Sequence, residues 1–224
     1  MKPLRDPLGR PIQRPFFETE ELDARCEGII RDFMDRRSGG FRLPIPTDEL
    51  TRLIEEEADD LDLYAQLPDG VEGLTDFFAD RAPKVRIAES LYRTRSDHRL
   101  RTTLAHEFGH VNLHAPLWRH VGAASDGHPD QPTWSCARDT IVDAPENDWM
   151  EWQAGYVCGA LLMPATAIRA WAKEFAVRSD AKPPFAAESS PGTELISIVA
   201  ERCNVSDLAA RIRLLKLGLL LESS

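Results

Sequence analysis

His106-Glu107-Phe108-Gly109-His110 sets two imidazoles four residues apart, with a carboxylate beside the first. On a helix that spacing is slightly more than one turn, so both rings share a face and can grip one cation. The adjacent carboxylate is then placed to take a proton from water polarised by that cation, as in HExxH zinc hydrolases. A catalytic metal also needs a third protein donor and an open position for water. Asp148 to Pro164 reads as a helix whose small residues Ala154, Gly155, Cys158 and Gly159 recur at three- and four-residue spacing, a pattern suited to close helix packing. Glu151 lies one turn before that strip on nearly the same face, so packing the strip on the motif helix would carry it to the metal. Spacing alone leaves this level with a solvated glutamate favoured by the helix dipole. Asp143, Glu146 and Asp148 are rivals for the same place.

HEFGHVNLH (106–114) followed by EWQAGYVCGALLMP (151–164) resembles the ImmA/IrrE family of metallopeptidases. That family shows HE-hydrophobic-GH-x-x-x-H, then an acidic E-x-x-A segment closing on LLMP. The resemblance extends over roughly residues 45–217, and its last part is Val205-Ser206, Arg211 to Leu214 and Leu217-Gly218, similar to the closing helices of the family. It implies an α+β, zincin-like fold: a small mixed or antiparallel sheet packed on helices, with a helix-turn-helix-like pair at the C-terminal end. It implies Zn2+ on His106, His110 and Glu151, with Glu107 as the catalytic base. It further implies a zinc endopeptidase whose protein substrate is a helix-turn-helix transcriptional repressor, cut to switch on phage, mobile-element or stress genes. Two features depart from the pattern. Gln153 stands where many relatives carry a second glutamate, and the segment between the motifs is long.

Other polar groups fall near the motifs. His114 lies one turn beyond His110, too far along the axis to share the ion comfortably, and reads as a histidine behind the ligands or as an oxyanion contact. Tyr156 could donate to a tetrahedral intermediate or be a half-buried core tyrosine. Asp148, or Asp143, could orient a ligand imidazole. His98, His120 and His128 carry no assigned role.

The elements that must hold these groups follow from periodicity. Pro3, Pro7, Pro11 and Pro15 mark an extended arm, and Leu22, Cys26, Ile29, Ile30 and Phe33 a helix over 17–36. Thr47 opens a second helix, running to about Asp60, with Leu50, Leu53, Ile54 and Ala58 on one face. Residues 71–78 and 84–91 alternate like strands. Ser96 or Asp97 caps the motif helix, whose core stripe is Leu100, Leu104, Phe108 and Val111. Residues 115–147 read as a long loop holding a strand pair around Trp134 to Val142. Pro164 stops the acidic helix, and a further helix runs to about Val177. Residues 178–192 connect to helices over 193–202 and 206–217, ended by Gly218. The partition is an arm and helix over 1–42, a peptidase domain over 43–178, and a helical C-terminal part over 190–224.

Hydrophobic residues at 42% and charged at 29% of 224 suit a globular protein with a real core. A net charge of −10 argues against broad binding to nucleic-acid backbone. No leader-like apolar run follows the start and no window is long enough for a bilayer, so the expected compartment is the cytoplasm, with no membrane partner. Cys26, Cys136, Cys158 and Cys203 form no CxxC pair and read as reduced thiols, Cys158 as core. The competing function is a DNA- or protein-binding regulator, or a toxin–antitoxin component, with a vestigial metal site. Arg202, Arg211, Arg213 and Lys216 would be its cations, but the acidic total and the stripe Leu208, Ile212, Leu215 favour a packing element.

Overall fold

A computed structural model of the chain describes residues 4–93, 97–119, 121, 132–138 and 148–222. Contacts gather the chain into two units: Met1–Glu21 with Thr47–Cys158, and Leu22–Pro46 with Gly159–Ser224.

The first unit is built on a four-stranded sheet of β3 (Asp60–Ala65), β4 (Gly73–Phe77), β5 (Lys84–Ala88) and β6 (Trp134–Arg138), in the order β3-β5-β4-β6. β3 runs parallel to β5, whereas β4 pairs antiparallel with both β5 and β6, so the sheet is mixed. β4 and β5 fall inside the segments whose alternation marks strands. β3 was not expected; the second helix, α2 (Thr47–Glu55), stops short of it. β3 does alternate, with Leu61, Leu63 and Ala65 on its more buried face and Asp60, Asp62 and Tyr64 exposed, so its period-two pattern was present in the sequence beside the expected helix end at about Asp60. Residues 89–91, expected as strand, instead open α3 (Glu89–Arg93), where Glu89 and Arg93 pair one turn apart at 2.5 Å.

Against this sheet lies α4 (Asp97–Gly109), burying Leu100, Leu104 and Phe108. The Ser96 alternative for its cap lies outside the described residues. α2 packs on it through Leu50, Leu53 and Ile54, and the Thr47 hydroxyl donates to Asp97 at 3.0 Å and accepts from Arg101 at 3.3 Å. After Gly109 the helix widens into a π-helical turn, His110–His114, with the Ala115 N–H bonded to the His110 carbonyl. α5 (Ala115–Trp118) follows. In the expected 115–147 loop the described part thus holds one short helix and one strand, β6; the proposed return strand toward Val142 lies outside the described residues.

Within this unit the proline-rich arm is packed down. β1 (Leu4–Arg5) pairs with β2 (Gln13–Arg14), and Ile12 joins a cluster of Phe77, Ala115, Trp118, Cys136, Trp149 and Met150. The Arg10 guanidinium is buried between Asp6 and Asp148, at 2.5 and 3.0 Å, and lies over the Trp149 ring. Burying a cation is tolerable only because both carboxylates neutralise and hydrogen-bond it.

The remaining helices belong mainly to the second unit: α1 (Thr19–Ser38), the end of α6 (Trp149–Leu162), α7 (Ala165–Ser179), α8 (Ser190–Cys203) and α9 (Asp207–Lys216). Ser189 and Ser206 cap α8 and α9 by accepting N–H groups of Gly192 and Ala209. A two-stranded parallel ladder of β7 (Phe185–Ala186) and β8 (Leu220–Leu221) ties the connector to the last segment. The stripe Leu208, Ile212, Leu215 is not the packing face of α9. Leu208 is half exposed, and the buried residues are Ala210, Arg213 and Leu214. Arg213 is drawn inward because its guanidinium donates to Asp23 at 2.6 Å and to the Met163 carbonyl at 3.0 Å. No described helix is long and apolar enough to cross a membrane.

The Asp6 carboxyl gives the arm a pH signature. Burial raises its pKa, but bonds from Arg10, the Leu8 N–H and the Trp149 indole outweigh this and hold it at about 2, below the usual 3.8. The folded value is depressed, so the stabilisation is complete above 3.8 and is lost as pH falls through about 2. Asp6→Asn is therefore expected to lower the urea midpoint at neutral pH. The gap from wild type should narrow steadily below about pH 4; a gap independent of pH would contradict this account.

Candidate metal centre

Three donor side chains converge between α4 and α6, with one Glu151 oxygen toward each imidazole. His106 Nε2 lies 3.2 Å from His110 Nε2 and 3.0 Å from Glu151 Oε2, and His110 Nε2 lies 3.3 Å from Glu151 Oε1. Neighbouring donors on a tetrahedral cation with bonds of about 2.0–2.1 Å lie about 3.3 Å apart, so each of these pairwise spacings is that of two ligands of one ion. Among the described residues this trio is the one cluster of His, Cys, Asp and Glu donors with such mutual distances. Of the rival donors, Asp143 and Glu146 lie outside the described residues.

The helix pair dictates this geometry. Gly109 has its Cα where any side chain would strike α6: a Cβ there would come within 2.9 Å of the Ala154 Cα. One turn away along α6, the Cys158 thiol donates to the Thr102 carbonyl at 3.3 Å. Ala154 and Cys158 thus form the contact strip, and Glu151, one turn before Ala154, is brought level with His106 and His110. Gly155 faces open space and is not part of the strip, whereas Gly159 approaches the Arg213 side chain instead.

Glu107 is fully buried and turned toward the sheet, where the Thr75 hydroxyl of β4 donates to its Oε2 at 2.6 Å. Room for it comes from Gly73, since a Cβ there would lie 2.3 Å from Glu107 Oε1. Cys136, opposite Thr75 in the β4–β6 ladder, has its thiol against His110. It was expected only as a reduced thiol, and nothing local in the sequence signals its neighbour. Thr75 and Gly73 were likewise invisible, because a single Gly or Thr in a strand carries no functional pattern.

Burial and mutual pairing act in opposite senses on the donor side chains. Burial works against a charged His110, but the facing Glu151 carboxylate and the Cys136 thiol outweigh it and hold the imidazole pKa well above its usual value. Glu151 is also opposed by burial, yet His110 and the His106 hydrogen bond hold it far below the usual carboxylate range. Burial and the adjacent His110 push His114 well below the usual imidazole value, so it is neutral. Burial raises the Cys136 thiol, against the opposing effect of His110.

The remaining candidates are placed as follows. His114 is fully buried and its Nδ1 lies 3.0 Å from His110 Nδ1, behind the donor trio. Asp148 accepts the Met150 N–H at 3.0 Å and binds Arg10, which makes it the start of α6 and an anchor for the arm. Tyr156 is buried with its ring on Trp152, at a helical position about 140° round α6 from Glu151. His98 is half-buried at the start of α4.

Compared with known families, residues 68–215 match the model described as the IrrE N-terminal-like domain, Peptidase_M78. No curated protein matches the chain. The matched span contains every donor of the trio, Glu107 and the sheet residues that hold it.

Two glycines test the geometry. Gly109→Ala must push α6 away and is expected to lower metal content after dialysis against a divalent cation, whereas Gly155→Ala, with nothing within 4 Å of its new Cβ, should leave it unchanged. Equal retention by both variants would show that the helix spacing does not set the site. Gly73→Ala must displace the Glu107 carboxylate, so it should cut turnover far more than metal content.

Proposed function

The chain belongs to the IrrE N-terminal-like, Peptidase_M78 family, and from that we propose that it is a zinc-dependent endopeptidase acting on a protein substrate. The observation that carries this reading is the convergence of His106, His110 and Glu151, which supplies three donors of the kind and spacing of a catalytic zinc site. The set fits the ion: two neutral-capable imidazoles and one carboxylate, all held by helices that touch.

Zinc bound there would supply Lewis acidity, acidifying water and polarising a peptide carbonyl. Glu107 then acts as general base, accepting the proton of the attacking water on its carboxylate and delivering it to the leaving amine. Thr75 and Gly73 hold that carboxylate in one orientation, so the proton acceptor does not have to be found by rotation. The chain's own contribution is therefore a fixed donor set and a fixed base, with the shortest hydrogen bond of the group ordering the base.

For the substrate, the resemblance of 106–114 and 151–164 to the ImmA/IrrE family supports a helix-turn-helix transcriptional repressor, cut to release phage, mobile-element or stress genes. The alternative of a DNA-reading C-terminal pair is weakened by the cations it would need. Arg213 is buried against Asp23, Arg211 is paired with Glu188, and Arg202 lies over Trp171 beside Glu174.

Glu107→Gln is expected to retain one zinc per chain and the wild-type circular dichroism spectrum, yet lose about 10²–10⁴-fold in turnover. His110→Ala should lose the metal itself. The assay is cleavage of the repressor encoded nearest the gene, with and without chelator, followed by mass spectrometry of the products. Chelator-insensitive cleavage, or full activity of Glu107→Gln, would refute the mechanism.

A further inference from the structure

Behind His110 the buried polar groups form a line. His110 Nδ1, on the ring edge away from the trio, lies 3.0 Å from His114 Nδ1. His114 Nε2 lies 3.1 Å from Gln153 Oε1, and the Gln153 amide N–H donates to the Pro15 carbonyl at 2.9 Å. His110, His114 and Gln153 are each no more than 1% exposed, so water does not compete for these bonds. The π-helical turn brings the two rings together, because a wider turn shortens the axial distance between positions four apart.

The direction of every bond in the line follows from its far end. A proline carbonyl can only accept, so the Gln153 amide nitrogen faces Pro15 and its oxygen faces His114. That oxygen can only accept in turn, which places the His114 proton on Nε2 and leaves Nδ1 bare. Nδ1 of His114 then accepts from His110, whose proton is on Nδ1. The lone pair of His110 is left on Nε2, the atom that faces His106 and Glu151.

We infer that His114 and Gln153 are positioning residues that fix His110 in the Nδ1–H tautomer, with its Nε2 lone pair aimed at the metal, through a relay ending on the Pro15 carbonyl. Outer partners of this kind are usually carboxylates or backbone carbonyls joined directly to the ligand ring. Here the acceptor is a second imidazole, itself oriented by a neutral amide. A glutamate at 153 could accept from His114 but, ionised, could not donate to Pro15, so Gln153 is the residue type that this line requires. The inference rests on the reading of His110 as a ligand through Nε2.

The test measures zinc affinity of the full chain by competition with a chromophoric chelator, for wild type, His114→Phe, Gln153→Met and the double variant. His114→Phe is expected to bind zinc about 10–100-fold more weakly. Gln153→Met should weaken binding in the same direction, and the double variant should be no weaker than His114→Phe, because both break one line. Long-range proton–nitrogen NMR of the imidazoles supplies a readout that packing alone would not move: His114 protonated on Nε2, and His110 on Nδ1 in the zinc form. Folded variants binding zinc within twofold of wild type, or a His114 proton on Nδ1, would overturn the relay. Wild-type protein that binds no zinc would instead overturn the peptidase reading. The His114 tautomer in that metal-free protein would still decide the direction of the line, even if neither variant folds.

Discussion

The contact between Gly109 and Ala154 sets everything at the centre. Two helices whose backbones nearly touch are separated by a fixed amount, and that separation is what places a carboxylate on one of them within 3.3 Å of imidazoles on the other. A looser pair would leave Glu151 in solvent, where the helix dipole alone would favour it. The small residues are thus not a generic stripe. Ala154 and Cys158 bear on α4, and the neighbouring glycines of the same helix do not.

Around this contact the protein buries several charged and polar groups, and those that hold the arm, the base and the second imidazole are met by partners of defined geometry. Glu107 is held by Thr75, Arg10 is enclosed by Asp6 and Asp148, and Gln153 is fixed by Pro15. Burying such groups without partners would cost several kcal/mol each, of order the whole stability of a domain when summed. Paired as they are, they tie arm, sheet and helices of the first unit to one another, because loss of any one partner would leave a buried charge or dipole unmet.

How much of this was legible in the sequence depended on distance along the chain. The imidazole pair is a local pattern, four residues on one helix, and the strands at 73–77 and 84–88 followed from alternation, whereas the α+β class was what the resemblance of the two motifs implied. Glu151 was legible as one of several candidates because its helix advertises a packing strip, although only half of that strip makes the contact. α3 was missed because its ion-paired turn continues the alternation of β5, whereas β3 carries a legible alternation of Asp and Leu that was passed over. Gly73, Thr75, Cys136 and Pro15 could not have been found by any local pattern. Each becomes meaningful only when sheet register or an arm 138 residues distant from Gln153 brings it to the centre. Arg213 shows the opposite error: a cation that reads as surface in sequence is internal because Asp23 awaits it.

The arm that supplies Arg10, Ile12 and the Pro15 carbonyl lies wholly upstream of residue 68, where the family match begins. Homology limits and the limits of a self-sufficient folding piece therefore do not coincide in this chain. A fragment trimmed to the shared span would keep every liganding side chain yet expose the apolar flank of Trp118 and Trp149, leave Asp148 without its guanidinium, and strip Gln153 of its acceptor. Boundary choice for recombinant work therefore has to keep the arm, as well as α2 and β3, which also precede the matched span.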